Sequence, residues 1–281
     1  MCEFCLKHGE GKTWYLQAKN YSEDLLSDIR RRKFIEDFFS DSDSLGEQVL
    51  KLAELDESPW LVKAFFRRLV TRKMKKEHFG QVVPIEDIEK IFAFVNSVVR
   101  VACLCRRVTR HEEKRYCYAI SAGPNGGKLV EIFRGVDQSY RAGPAVAGLE
   151  VLAKDEAIAA MRGHEGEGLC HTIWTFRTPF ICGVCNCDRS DCLAMRTTMT
   201  HSIPMMFRAE YVAEVVPDSC TGCRECMRVC QFGAVVYSAA TRQASIDRKW
   251  CYGCGVCRSV CKKDAIRLVE RATAPVAAGL W

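Results

Sequence analysis

The sequence predicts an α+β protein. A helical N-terminal region and a mixed α/β domain precede a small C-terminal βαββαβ module. Between positions 22 and 89 apolar residues recur at helical spacing, punctuated by Ser and Pro caps. From residue 98 the pattern changes to short alternating segments separated by turn residues. Near the C-terminus the spacing C-x2-C-x2-C-x3-C occurs twice, at Cys220, Cys223, Cys226 and Cys230 and again at Cys251, Cys254, Cys257 and Cys261, 31 residues later. The expected boundaries are 1–97, 98–210, 211–270 and a tail at 271–281.

The chain opens with Cys2-x2-Cys5-x2-His8, which can be half of a metal site or an ordinary exposed terminus. Ser22 caps a helix whose stripe is Leu25, Leu26, Ile29, Phe34 and Phe38. Ser44 precedes a second apolar set at Leu45, Val49, Leu52 and Leu55. Ser58-Pro59 starts a third helix carrying Trp60, Leu61, Ala64, Phe65 and Leu69, and its aromatics are expected in the core. Pro84 starts a fourth, with Ile88, Ile91, Phe92 and Val95 inward. The basic runs at 30–33 and 72–76 read as solvated helix faces or as docking surfaces for an acidic partner, rather than as nucleic-acid contacts.

In the middle region, residues 98–107 and 116–120 alternate as strands, Asn125-Gly126 suggests a hairpin turn into a strand at 129–133, and 149–152 is a further short strand. A helix is expected from Asp155 to Met161, ending at Gly163, then a strand from His171 to Phe176. Cys103-x-Cys105-Arg106 closes the first of these strands, and Cys185, Cys187 and Cys192 are expected on a loop leading into a helix at 193–199. Such a loop can wrap an anionic group, with helix N–H groups offered to it and Arg106 balancing charge. Cysteine also packs as a small hydrophobe, so unpaired structural thiols are the alternative, and Cys117 and Cys170 are read that way. His111, His164, His171 and His201 are expected to be structural.

Each C-terminal four-cysteine run is a ligand set for a [4Fe–4S] cubane, in which three closely spaced thiolates hold one cluster and the fourth completes the neighbour. The expected sets are Cys220, Cys223, Cys226 and Cys261, and Cys251, Cys254, Cys257 and Cys230. Zinc knuckles or a disulfide framework would not produce two identical four-cysteine runs. Residues 211–270 resemble the bacterial-type two-cluster ferredoxins, which implies a ferredoxin-like βαββαβ module with a pseudo-twofold repeat. The run departs from that pattern where Gln231 and Lys262, not proline, follow the fourth cysteines. The order C-x-C-R, G-x2-H at His171, C-x-C-x4-C and then the two-cluster module resembles larger iron–sulfur proteins whose N-terminal part carries an extra cluster. That resemblance implies a third [4Fe–4S] cluster on Cys103, Cys105, Cys185, Cys187 and Cys192 and gives no substrate. A fourth cluster involving Cys2 and Cys5 stays open.

The 18 cysteines, with no apolar leader at the N-terminus, suggest a reducing cytoplasm and metal ligation, and the longest charge-free stretch, residues 229–241, is too short to span a bilayer. The formal charge of +6 falls to about +2 with two anionic clusters and to about zero with three, so the basic count does not argue for nucleic acid. No hydrolytic triad, H-E-x-x-H or GxGxxG is present, and no catalytic residue is assigned. The expected function is electron transfer between a low-potential donor and a partner protein, such as a catalytic oxidoreductase subunit. The alternatives are a reductase with a substrate-accessible N-terminal cluster, and an iron–sulfur redox sensor.

Overall fold

The computed structural model describes residues 2–281 except 41–43, 45, 46, 48, 50, 52–57, 113 and 136–148. In chain order the helices and strands of the first 130 residues are α1 (Glu3–Gly9), α2 (Ile29–Ser40), α3 (Trp60–Glu77), β1 (Gly80–Val82), α4 (Ile85–Phe94), β2 (Ser97–Val101), α5 (Leu104–Arg110), β3 (Cys117–Ser121) and α6 (Gly127–Gly135). Then follow β4 (Glu150–Leu152), α7 (Lys154–Gly166), β5 (Cys170–Thr175), β6 (Ile181–Cys187), α8 (Leu193–Met199) and β7 (Met206–Phe207). The last segment contains β8 (Tyr211–Val215), α9 (Glu225–Val229), β9 (Val235–Ser238), β10 (Gln243–Ile246), α10 (Val256–Ser259), β11 (Ile266–Glu270) and α11 (Pro275–Ala278).

Among the described residues the first seven strands form one sheet in the order β4-β2-β3-β6-β5-β1-β7, antiparallel except for the β1–β7 pair. Side chains alternate across a strand, so each strand feeds both faces. Val98, Tyr118, Ile120, Ile173 and Val184 pack with α4, α7 and the N-terminal aromatics Trp14 and Tyr15. Val99, Val101, Ala119, Trp174 and the strand cysteines Cys117, Cys170, Cys182, Cys185 and Cys187 face the opposite core, which is closed by α2, α6 and α8. The C-terminal module has two two-stranded sheets, β8 with β11 and β9 with β10, over its own small core.

Several local expectations change in three dimensions. The Ser22 helix is split: Ser22 Oγ caps a 3₁₀ turn at Glu23–Ser27, and Asp28 Oδ1 then accepts from Arg30 N at 2.9 Å to start α2. Arg31 is not solvated; it is buried and donates to the carbonyls of Leu25, Phe176 and Arg177. The second apolar set falls largely outside the described residues. Among the described residues α3 buries no side chain, and Trp60 and Phe65 are exposed, contrary to the core expected for them.

The segment after Asn125-Gly126 is helix α6, not a strand. Ser97 Oγ accepts Gly126 N–H at 2.8 Å and the Glu23 carboxylate accepts Lys128 N–H at 2.9 Å, so side chains take the N–H groups that a hairpin would use. Leu129, Val130, Ile132 and Phe133 then form the buried stripe of that helix. The tail folds back on its own chain: the Trp281 ring stacks on Phe207 at 4.4 Å and lies 4.9 Å from Phe4.

Candidate metal centres

In the C-terminal module each cysteine run turns tightly before its second cysteine. Gly222 and Gly253 sit there with φ +68° and +73°, and a Cβ on either would meet a backbone oxygen, of Arg242 or Tyr211, at 2.1 Å. Only glycine allows this approach. Backbone N–H groups then aim at sulfur in a repeated pattern. Ala234 donates to Cys230 Sγ and Ala265 to Cys261 Sγ, both at 3.3 Å and both from four residues downstream. Cys251 Sγ accepts from Ala213 at 3.3 Å and Cys220 Sγ from Ala244 at 3.5 Å.

Cys220, Cys223, Cys226 and Cys261 line one cavity at the module's outer end, where Cys223 is exposed. Cys230 faces the other run instead: burial first, then the charges of Cys251 and Cys230, push the Cys257 thiol up. All eight thiols are free of disulfides. Two all-sulfur groups served by inward N–H donors fit [4Fe–4S] clusters.

The module is pinned to the larger sheet on its second-run side. Gln231, which stands where proline was expected, donates to Gly168 O at 2.7 Å and accepts from Arg189 N at 2.9 Å. Arg258 pairs with Glu86 at 2.5 Å, and Tyr211 Oη donates to Asp87 Oδ1 at 3.4 Å. The amide replaces a rigid turn by two hydrogen bonds to the neighbouring domain.

On the inner face of the seven-stranded sheet, the register brings a second group of thiols together. Cys117 on β3 is directly opposite Cys185 on β6, and Cys185 is opposite Thr172 on β5. One row on, Cys187 pairs with Cys170. Cys103 and Cys192 stand immediately before α5 and α8 as their N-caps, and Cys105 lies in the first turn of α5, not at the end of a strand, because β2 stops at Val101. Cys185 and Cys187 are thus strand residues, not loop residues, because β6 extends through Cys187 to pair with β5. The Cys117 thiol lies within hydrogen-bonding reach of Cys103 and Cys185, and Cys192 within reach of Cys105 and Cys187. Cys117, read as a core thiol, therefore joins the group; its only sequence signal was its place in an alternating strand. These six thiols, with Cys182, border a cavity of about 140 Å³ whose remaining walls include Phe39, Phe133, Trp174 and Phe176.

Arg106 supplies the positive charge. It is buried, pairs with Asp188, lies 3.5 Å from Asp191, and donates to Cys103 Sγ at 3.6 Å. Its guanidinium covers the Tyr116 ring at 4.1 Å. Hydrogen bonding from Cys117, aided by the N–H groups and charge of Arg106, brings the Cys103 thiol down to about 6 against the effect of burial. His171 is buried beside the group but turned to the other face, with Nδ1 2.7 Å from Asn186 Oδ1; His164 bonds the Tyr118 hydroxyl at 2.7 Å. Both are structural in this arrangement.

At the N-terminus Cys2 and Cys5 come together, but without His8. The ring of His8 lies tilted against Phe4 with centroids 5.7 Å apart, and its carbonyl accepts from Asn20. Glu210, just before β8, takes the third position.

Residues 219–266 match the family described as a 4Fe-4S dicluster domain. The chain is also similar to the indolepyruvate oxidoreductase subunit IorA of Thermococcus kodakarensis, 39% identical over 54 residues that make up 19% of this chain and 8% of that protein. It is also similar to the IorA subunit of Pyrococcus abyssi, 34% identical over 59 residues, 21% of this chain and 9% of that protein. The chain thus matches less than a tenth of the length of either relative. Among the described residues no helix is long and apolar enough to cross a membrane. The C-terminal segment 219–266 is a 4Fe-4S dicluster domain, and the chain is an iron–sulfur protein.

Proposed function

We propose that this chain relays single electrons between a low-potential donor and a partner oxidoreductase, using three [4Fe–4S] sites in a row. Cys220, Cys223, Cys226 and Cys261 hold the outer cluster, and Cys251, Cys254, Cys257 and Cys230 the middle one. The inner cluster draws its ligands from Cys103, Cys105, Cys117, Cys185, Cys187 and Cys192. When bound, such clusters supply one-electron reduction and oxidation at potentials set by solvent access and N–H···S bonds.

The observation that carries this reading is one continuous core. Cys170, Cys187, Cys192, Phe232 and Val256 belong to a single buried cluster, against which Cys185, Cys230, Tyr252 and Cys254 pack. Cys170 is the bridge: burial pushes its thiol up, and the charges next in effect include those of Cys254 and Cys230. The residues between the middle and inner sites thus exclude water, while exposed Cys223 leaves the outer site open to a docking protein. Similarity to oxidoreductase subunits supports a partner of that class.

A reductase reading is favoured by the aromatic wall of the inner cavity, which could receive an apolar substrate. Anaerobic copurification from the native host separates the two. A large catalytic subunit that accepts electrons from the dithionite-reduced chain supports the relay. Turnover of an organic substrate by the isolated chain, with dithionite as sole donor, replaces it with the reductase.

A further inference from the structure

We propose that Cys2, Cys5 and Glu210 hold a zinc ion that clasps the N-terminal segment to the start of the iron–sulfur module. The two sulfurs lie 3.2 Å apart, and Cys5 Sγ lies 3.8 Å from Glu210 Oε1. Both cysteines are buried, at 7% and 3% exposure. Cys5 N–H also points at Cys2 Sγ, at 3.3 Å, as it would to stabilise a thiolate there. The carboxylate is aimed by its own partner. Arg271, 3% exposed, takes Glu210 Oε2 at 2.9 Å and is itself fixed by the carbonyls of Ala209 and Ala278. That leaves Oε1 turned to the thiols.

The geometry and donor set select the ion. A tetrahedral zinc with sulfur at about 2.3 Å and oxygen at about 2.0 Å has S···S edges of about 3.8 Å and S···O edges of about 3.5 Å. Opening the sulfur pair by about half an ångström, within the freedom of two χ1 rotations, meets those edges. Two thiolates from C-x2-C are a common zinc half-site. Two sulfurs and a carboxylate fall short of the four thiolates of a [4Fe–4S] cluster, so the pair does not extend the electron relay. The fourth zinc ligand is water, admitted on the Glu210 side, which is 23% exposed.

The clasp spans 205 positions of sequence and closes where three segments already meet. Lys75 of α3 bonds Glu3 at 2.6 Å, and Trp281 packs against Phe4. The site is independent of the electron-relay reading and is tested without it.

The test is zinc-edge X-ray absorption and metal analysis of the full chain, purified anaerobically with its clusters and supplied with zinc. The expected result is one zinc per chain with two sulfur and two light-atom neighbours. C2S/C5S should lose the zinc and keep its iron, and E210Q should bind zinc at least about tenfold more weakly. A shell of four sulfurs would place the zinc in a cluster site and overturn the proposal. So would absence of zinc, a shell of light atoms alone, or a Cys2–Cys5 disulfide found by mass spectrometry. Should C2S/C5S fail to fold, the wild-type absorption spectrum decides by itself.

Discussion

The rings of Phe232 and Tyr252 lie face to face, with centroids 4.1 Å apart and planes inclined by 6°. One follows the last cysteine of the first run by two positions, and the other follows the first cysteine of the second run. Together they wall the Cys251 side of the module against the larger core, and Arg208 covers the Tyr252 ring at 4.4 Å. F232A should cost about 3–5 kcal/mol of stability by leaving a cavity. It should also admit water and raise the potential of the cluster held by Cys251, Cys254 and Cys257, leaving the outer one unchanged. A redox titration followed by electron paramagnetic resonance reads both; equal shifts at the two sites would contradict this water-excluding role.

Cys261 shares its cavity with Cys220, Cys223 and Cys226 rather than with its own run. C261A should therefore damage the cluster of the first run and spare that of the second. Iron analysis with paramagnetic spectra of the variant checks it, and loss of the second-run signal would refute the crossed assignment.

Iron content tests the inner site. Three clusters require about twelve irons per chain, and C187S or C185S should lower this to about eight. C117S distinguishes a ligand from a neighbour. As a ligand, Cys117 cannot be replaced without loss of iron; as a hydrogen-bond donor to Cys103, it can be replaced by serine with the iron retained.

Arg106 is buried between Asp188, Asp191 and the Cys103 sulfur. R106M removes the cation and leaves the buried Asp188 carboxylate with only the Ser190 hydroxyl and the Asp191 N–H as donors among the described residues. Breaking a buried pair on one side costs about 3–5 kcal/mol. Denaturation of R106M and of the double variant R106M/D188N should show that removing both charges recovers much of the loss.

His78, on the aromatic wall of the inner cavity, gives a pH dependence of stability. Burial pushes its imidazole down from 6.5 to about 4, while Nδ1 sits 2.6 Å from Thr175 O. The unfolded chain therefore binds a proton that the folded chain refuses. The resulting stability is present above about pH 6.5 and is lost as pH falls toward about 4, by up to roughly 3 kcal/mol. H78N keeps a donor for Thr175 O but cannot titrate. The stability difference between H78N and the parent should shrink or reverse across this window, and a constant difference would exclude His78 as the titrating group.

The sequence by itself determined what short spacing can determine. Two four-cysteine runs, each with a glycine before the second cysteine, specify a cluster-binding module because local turns alone bring those sulfurs together. The caps at Ser22 and Pro84 and the strand at Cys117–Ser121 were legible for the same reason, since periodicity and capping act within a few residues. Tertiary structure decided the rest. Cys117 joins the inner thiols only through strand register, Glu210 reaches Cys5 across 205 positions, and residues 127–135 become helix because Glu23 and Ser97 take up N–H groups there. Such contacts depend on how the chain closes its loops and fills its core, and no pattern within a short window encodes them.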